Sequence, residues 1–287
     1  MESPRVWIIQ TPSTRSQVWR EALASACQAR GWDFYAHERG QSVPTVNPDR
    51  PLLVVSWLDQ TEEVPVTHRA VQLSPPAMVF SIVKERENLS DNEANYEASL
   101  RLATAWSWKE SGAFCFHFDD ELIDLPELGK VRSGMRGKGS CNDTSCDVHA
   151  LNLFEYRGLD QVEGAKWEAE LFSYPDAIIN SKQGVCLDLA GRRRLLFNGP
   201  NIFLPPGMWR FTAQMTINPP GNTELLVEWG HGYDVSDYTA PITKPGRYEI
   251  SLEKKWLDIH PADFRVSLMI PALDGRFEFH GGLLSRV

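Results

Sequence analysis

The chain has 287 residues, of which 42% are hydrophobic and 23% charged, and its net charge is −9. Such a chain has a packed core and room for one large or two ordinary domains, which excludes a disordered or fibrous protein. The acidic excess sits mainly in residues 1–130, so bulk charge argues against nucleic-acid binding, although a local basic pocket for one small anion is compatible with it.

Met1-Glu2-Ser3-Pro4-Arg5 lacks the charged and apolar regions of a signal peptide. Val6–Ile9 is an apolar run suited to a buried strand. After Thr11-Pro12, the residues Val18, Trp19, Ala22, Leu23 and Ala26 recur at helical spacing, and Gly31 stands where that helix would end. Trp32–Ala36, Leu52–Val55 and Ala70–Leu73 read as further strands, while Met78–Val83 fits either a strand or a helix. Neither apolar run, Leu52–Val55 or Met78–Val83, is long enough to span a bilayer. Ser90-Asp91-Asn92-Glu93 is a capping-box pattern, and the helix it opens should end near Gly112. Phe114–Phe118 reads as a strand closed by Asp119-Asp120-Glu121. Strand and helix in alternation predict a mainly parallel sheet with helices packed on it.

Residues 132–147 are rich in Gly, Ser and polar groups and read as a loop or linker. Strands are expected to resume at Leu151–Tyr156 and Trp167–Phe172. From Val185–Leu189 and Arg194–Phe197 to the end, short strands alternate with turn dipeptides, the pattern of an antiparallel sandwich. The predicted architecture is therefore an α/β, Rossmann-like three-layer domain over residues 1–130. A connecting segment over 131–165 and an all-β, jelly-roll-like sandwich over 166–287 follow it. Five cysteines, an odd number scattered along the chain, suit a reducing compartment, and a cytoplasmic location is expected.

Candidate chemistry lies at four places. Ser13, Thr14, Arg15 and Ser16 occupy the first strand-to-helix junction, where α/β sheets bind anions, although no Gly lies between Arg5 and Arg30 to bring the backbone close to a phosphate. Asp119 and Asp120, with His117 on the preceding strand, have the residue types for an acid/base pair or a metal on a nucleotide-activated donor. The same residues also make an ordinary solvated turn. Cys141, Cys146 and His149 form a loose cluster whose C-x4-C spacing is wide for zinc and lacks a second pair, so no metal is assigned. Trp229, His231, Tyr233 and Asp234 surround two glycines, a composition suited to stacking on a sugar ring and bonding its hydroxyls. A tryptophan on a strand also commonly packs inward. The residues assign no cofactor.

Leu187–Arg192, Gly199–Ile202, Leu204–Arg210 and the closing Leu284–Val287 carry a resemblance to the β-sandwich tail of bacterial glycosyltransferase-like and other polysaccharide-biosynthesis proteins. Pro12–Ser16 and His117–Pro126 are similar to the phosphosulfate loop and a late acidic strand end of sulfotransferases, without that loop's Lys or Gly. These resemblances imply a protein of cell-surface polysaccharide biosynthesis. It would be a glycosyl or sulfuryl transferase, or a derivative that has lost the activity, with a glycan-binding sandwich. A glycan and a nucleotide-activated donor are the implied partners. The rival expectation is a non-catalytic glycan-binding, scaffold or oligomerisation protein that forms homo-oligomers or docks to a partner enzyme.

Overall fold

The computed structural model describes residues 3–37, 47, 49–57, 66–134, 149–155, 164–176, 179–180, 184–219 and 221–287. The chain forms two compact units, residues 1–147 and 148–287. The Cys141–Cys146 loop lies outside the described residues, as does much of the connecting segment.

In the first unit, β1 (Arg5–Gln10), β2 (Asp33–Ala36), β3 (Leu52–Ser56), β4 (His68–Leu73) and β5 (Phe114–His117) make one sheet in the order β2-β3-β1-β4-β5. Every pairing in it is parallel. The central strand is buried from Val6 to Gln10, as a strand covered on both faces must be. Helix α1 (Ser16–Arg30) covers one face and sets Trp19, Leu23 and Cys27 against Val6, Ile8, Leu53 and Val55. Gly31 ends it in the left-handed conformation at φ 72°, where its amide reaches back to the Cys27 and Gln28 carbonyls. Helix α3 (Asp91–Glu110) packs against β4 and β1. Its N-terminus carries the capping box, with Ser90 and Glu93 satisfying each other's backbone amides.

The ambiguous segment around Met78–Val83 is a helix, α2 (Pro76–Glu87). Proline occupies its first turn, where no amide is needed, and Asn88 closes it with a left-handed cap. A two-stranded hairpin, β6 (Leu122–Leu125) and β7 (Gly129–Arg132), was not read from the sequence. It lays Ile123, Leu125, Leu128 and Val131 into the core under α1, so this unit runs past residue 130.

The second unit opens differently from the sequence reading. In the described part of the expected Leu151–Tyr156 strand, residues His149–Phe154 form a 3₁₀ helix instead, which buries Leu151, Leu153 and Phe154. Trp167–Phe172 divides into the end of β8 (Ala165–Trp167) and a 3₁₀ turn at Ala169–Leu171. The strands that follow are β9 (Ile179–Asn180), β10 (Val185–Asp188), β11 (Arg194–Phe197), β12 (Pro200–Leu204) and β13 (Gly207–Asn218). The last five are β14 (Thr223–His231), β15 (Asp234–Ile242), β16 (Gly246–Trp256), β17 (His260–Leu268) and β18 (Arg276–Arg286). One antiparallel sheet has the order β16-β13-β18-β10-β9, with β8 on β18; the other has β11-β17-β14-β15, with β12 on β17.

Aromatic rings join the two sheets face to face. Phe211 of β13 meets Phe264 of β17 at 4.8 Å, Phe197 of β11 stacks on Phe279 of β18 at 4.2 Å, and Trp229 of β14 meets Trp256 of β16 at 5.1 Å. Each such ring buries a large apolar area and adds an edge or offset contact. The layer is close enough to dictate small residues opposite it. A Cβ on Gly282 would lie 2.5 Å from Phe211 Cζ and 2.6 Å from the Thr212 carbonyl oxygen. We expect Gly282→Ala to destabilise the sandwich by about 1–3 kcal/mol through overpacking, and Phe211→Ala by about 3–5 kcal/mol through the cavity it leaves. Urea unfolding monitored by near-UV circular dichroism checks both values, and an unchanged midpoint for Gly282→Ala contradicts the packing described.

Candidate functional site

The carboxyl ends of β1 and β4 lie side by side, yet their chains depart in opposite directions along the sheet. β1 leads through α1 to β2 at one edge, and β4 leads through α2 and α3 to β5 at the other. Ligands of open α/β sheets bind at this reversal. Here the two ends are stitched by side chains. The buried Thr11 hydroxyl donates to the Gln72 carbonyl at 2.8 Å and to Ser74 Oγ at 2.9 Å. Gln10 Nε2 donates to Gln72 Oε1 at 2.6 Å and to the Ser16 carbonyl at 3.2 Å.

A cavity of about 590 Å³ opens beside this junction, and Ser13, Thr14 and Ser16 line it. The serines also organise the start of α1. Ser16 Oγ accepts from the Ser13 amide at 2.9 Å, and the two hydroxyls lie 3.1 Å apart. Arg15 behaves differently from the expectation. It is 6% exposed, is absent from the cavity lining, and donates through Nη1 to the Asp119 carbonyl at 3.3 Å. Trp19 Nε1 donates to the Phe118 carbonyl at 3.0 Å, so α1 is tied to the end of β5 at two points.

Among the described residues the cavity's positive charge comes from arginines that the sequence reading passed over, Arg20 on α1, Arg86 on α2 and Arg101 on α3, against the Glu87 carboxylate. Arg20 is held by its Nε donating to Gln10 Oε1 at 2.8 Å. Arg101 lies over the Trp57 ring at 3.9 Å and pairs with Glu87 at 2.5 Å. Arg20 follows Ser16 by one helical turn and so shares its face, a signal that was present in the sequence. Arg86 and Arg101 carry no local signal, because α2 and α3 bring them to the cavity only in the fold. Guanidinium groups stay charged and offer planar forks of donors that match phosphate and sulfate oxygens. Trp57 and Ile82 give the same cavity an apolar wall.

His117, Asp119 and Asp120 do not line the cavity. They build a turn in which Asp120 Oδ2 accepts from the His117 amide at 2.7 Å and the Asp120 amide donates to the His117 carbonyl at 3.2 Å. Among the described residues no group of three His, Cys, Asp or Glu side chains is placed to hold a metal. No helix among them is long and apolar enough to cross a membrane.

In the sandwich the four predicted glycan-binding residues separate. Trp229 is fully buried: it lies 5.4 Å from Phe211 and 5.9 Å from Trp167, and its Nε1 donates to the Trp209 carbonyl at 3.3 Å. Its ring is therefore core and has no face for a sugar. The reason is the strand's period of two, which puts Trp229 on the same side as Leu225 and Val227. His231, Tyr233 and Asp234 stay together at the β14–β15 hairpin, where His231 pairs with Asp234 across Gly232 and Tyr233. The Tyr233 ring is fully exposed at the tip. His231 stacks on His260, with ring centroids 4.1 Å apart and planes at 15°. Asp234 accepts from Lys254 and lies 3.7 Å from His231 Nε2. Burial, followed by His260 and Lys254, holds the His231 imidazole below its ordinary value against the pull of Asp234.

No protein-family model matches the chain, and no curated protein matches it either. Among solved structures it is similar to TmCBM61 in complex with beta-1,4-galactotriose, at 11% identity and TM-score 0.31 over 40% of this chain and 87% of that one. It is similar to the xylan-binding module CBM15, at 9% identity and TM-score 0.28 over 42% and 91% of the two chains. It is also similar to the second N-terminal cellulose-binding domain of a Cellulomonas fimi beta-1,4-glucanase C, at 17% identity and TM-score 0.30 over 44% and 92%. Likeness this distant carries no argument about what the present chain binds. The sandwich assignment stands on the two facing sheets themselves.

A histidine whose folded-state value is depressed stabilises the fold above its unfolded value and loses that contribution as pH falls through the folded one. The His231 environment therefore predicts a stability that declines as pH drops below about 6.5, the ordinary histidine value. His231→Gln should flatten this decline, as read from urea midpoints across the range; an identical slope in wild type and variant contradicts the prediction.

Proposed function

We propose that the α/β unit binds a small phosphate- or sulfate-bearing ligand in its cavity, and that the chain is a carbohydrate-handling protein of cell-surface polysaccharide biosynthesis. The ligand class is a nucleotide-activated sugar or an adenosine phosphosulfate compound. The observation that carries this reading is the meeting of Arg20, Arg86 and Arg101, from three helices, around a cavity at the carboxyl edge of a parallel sheet. Trp57 and Ile82 offer an apolar wall for the ring portion of such a ligand.

Among the described lining residues the carboxylate is Glu87, and it is held by Arg101. A second reading, glycan contact by the sandwich, is favoured by the exposed Tyr233 ring with His231 and Asp234 beside it.

Isothermal titration of the full chain with nucleotide-sugars and adenosine phosphosulfate compounds tests the first reading. Loss of one charge-assisted contact is worth about 1.5–3 kcal/mol, so Arg86→Ala, on the exposed side of α2, should weaken binding roughly tenfold or more. Wild-type protein that takes up none of these compounds, or an Arg86→Ala variant with undiminished affinity, would sink it. For the second reading, Tyr233→Ala should leave the unfolding midpoint in place and abolish retention on oligosaccharide arrays. Equal retention of variant and wild type would remove the hairpin from any glycan site.

A further inference from the structure

We propose that the stacked imidazoles of His231 and His260 form a pH-sensitive latch on the β14–β15 hairpin, closed while both rings are neutral and released when the pair takes up protons. The inference is independent of ligand binding and rests on how the hairpin tip is held. His231↔Asp234 is the last ladder pair before the two-residue loop Gly232-Tyr233. Tyr233 is fully exposed, so its own side chain contributes no packing to the tip. Among the described residues, several side-chain contacts fasten the tip to the rest of the sandwich. They include the His231–His260 stack at 4.1 Å, the Lys254–Asp234 ion pair, and Arg265 Nη2 donating to the Gly232 carbonyl at 3.2 Å.

The charged groups facing His231 come from every neighbouring strand. Asp234 on β15 lies 3.7 Å away and is engaged by Lys254 of β16. His260 comes from β17, whereas Arg265 of that strand reaches only the Gly232 carbonyl and is paired with Asp263. Trp256 closes the remaining side, with its ring 5.8 Å from that of His231. A first proton on the pair meets Lys254 with a single shared carboxylate as counterion. A second would set two like charges face to face at stacking distance, which only separation of the rings relieves. The low value of the His231 imidazole, caused by burial and then by His260, agrees with this arrangement. Glycine at 230 lets β14 and β15 approach closely beside the tip, because a Cβ there would lie 2.2 Å from the Asp234 carbonyl oxygen.

Hydrogen exchange of the full chain, read by mass spectrometry near pH 7.5 and near pH 5 and corrected for intrinsic rates, tests the latch. Peptides covering 230–235 should lose protection by roughly tenfold or more at the lower pH, while peptides covering 223–228 keep theirs. In His260→Gln the pH-dependent loss at 230–235 should shrink to less than about threefold, because the facing charge is gone. Equal protection of 230–235 at both pH values, or a His260→Gln variant as pH-sensitive as wild type, overturns the proposal. Imidazole NMR of the unmodified chain decides it without a variant. The latch requires the two rings to protonate in separate steps, and two independent titrations at the ordinary histidine value overturn it.

Discussion

Burial of β1 on both faces is the constraint from which the first unit follows. A strand covered by α1 on one side and α3 on the other has no polar outlet along its length, and Val6 to Ile9 are accordingly apolar. The amino ends of β1 and β4 carry Arg5, His68 and Arg69 toward solvent, and at the carboxyl ends the polar side chains are buried. There Gln10, Thr11, Gln72 and Ser74 hydrogen-bond to one another, with Gln72 Nε2 left without a partner among the described residues. The same parallel direction sends every strand-to-helix loop to one edge. That edge holds the α1 serines, and the arginines of three helices meet beside it. The cavity is thus a product of strand direction, with its charge supplied by helices.

The second unit depends on a different device, a layer of rings between two antiparallel sheets. Phe211, Phe264, Trp229, Trp256, Phe197 and Phe279 fill the space between sheets. Because that layer is dry, chemistry in this unit is confined to its outer faces and its hairpin ends. The β14–β15 end is where ionisable groups gather, with two histidines, Asp234 and Lys254 in mutual reach. Trp229 and His231 are two residues apart and share a side of β14. One lies within the sandwich and the other at its rim, so position along the strand separates core from candidate site.

Several features were legible because they are local. The Ser90–Glu93 capping box, the left-handed Gly31 cap and the helical spacing around Trp19 and Leu23 each involve groups within a few residues of one another. The hydrophobic alternation of the later strands predicted the antiparallel sandwich, and it also contained the evidence that Trp229 faces inward with Leu225 and Val227. Misreadings fell where local signals are degenerate. Leu151 and Leu153 mimic strand alternation, whereas the chain here is a 3₁₀ helix that buries Leu151, Leu153 and Phe154 together. At the first junction Ser13, Thr14 and Ser16 line the cavity, while Arg15 turns to the Asp119 carbonyl and the arginines of the lining are Arg20, Arg86 and Arg101.

The sequence alone determined the Gly31 end of α1 and the Ser90 start of α3, and which half is α/β and which is mainly antiparallel strand. These follow from backbone sterics, caps and periodicity, which act over one or two turns of chain. The tertiary structure decided which charges meet. Arg20 and Arg101 are far apart in the chain and line one cavity, and His231 and His260 stack although two strands, β15 and β16, separate them. Such meetings are set by packing of apolar faces elsewhere in the fold, and no residue near either partner records them.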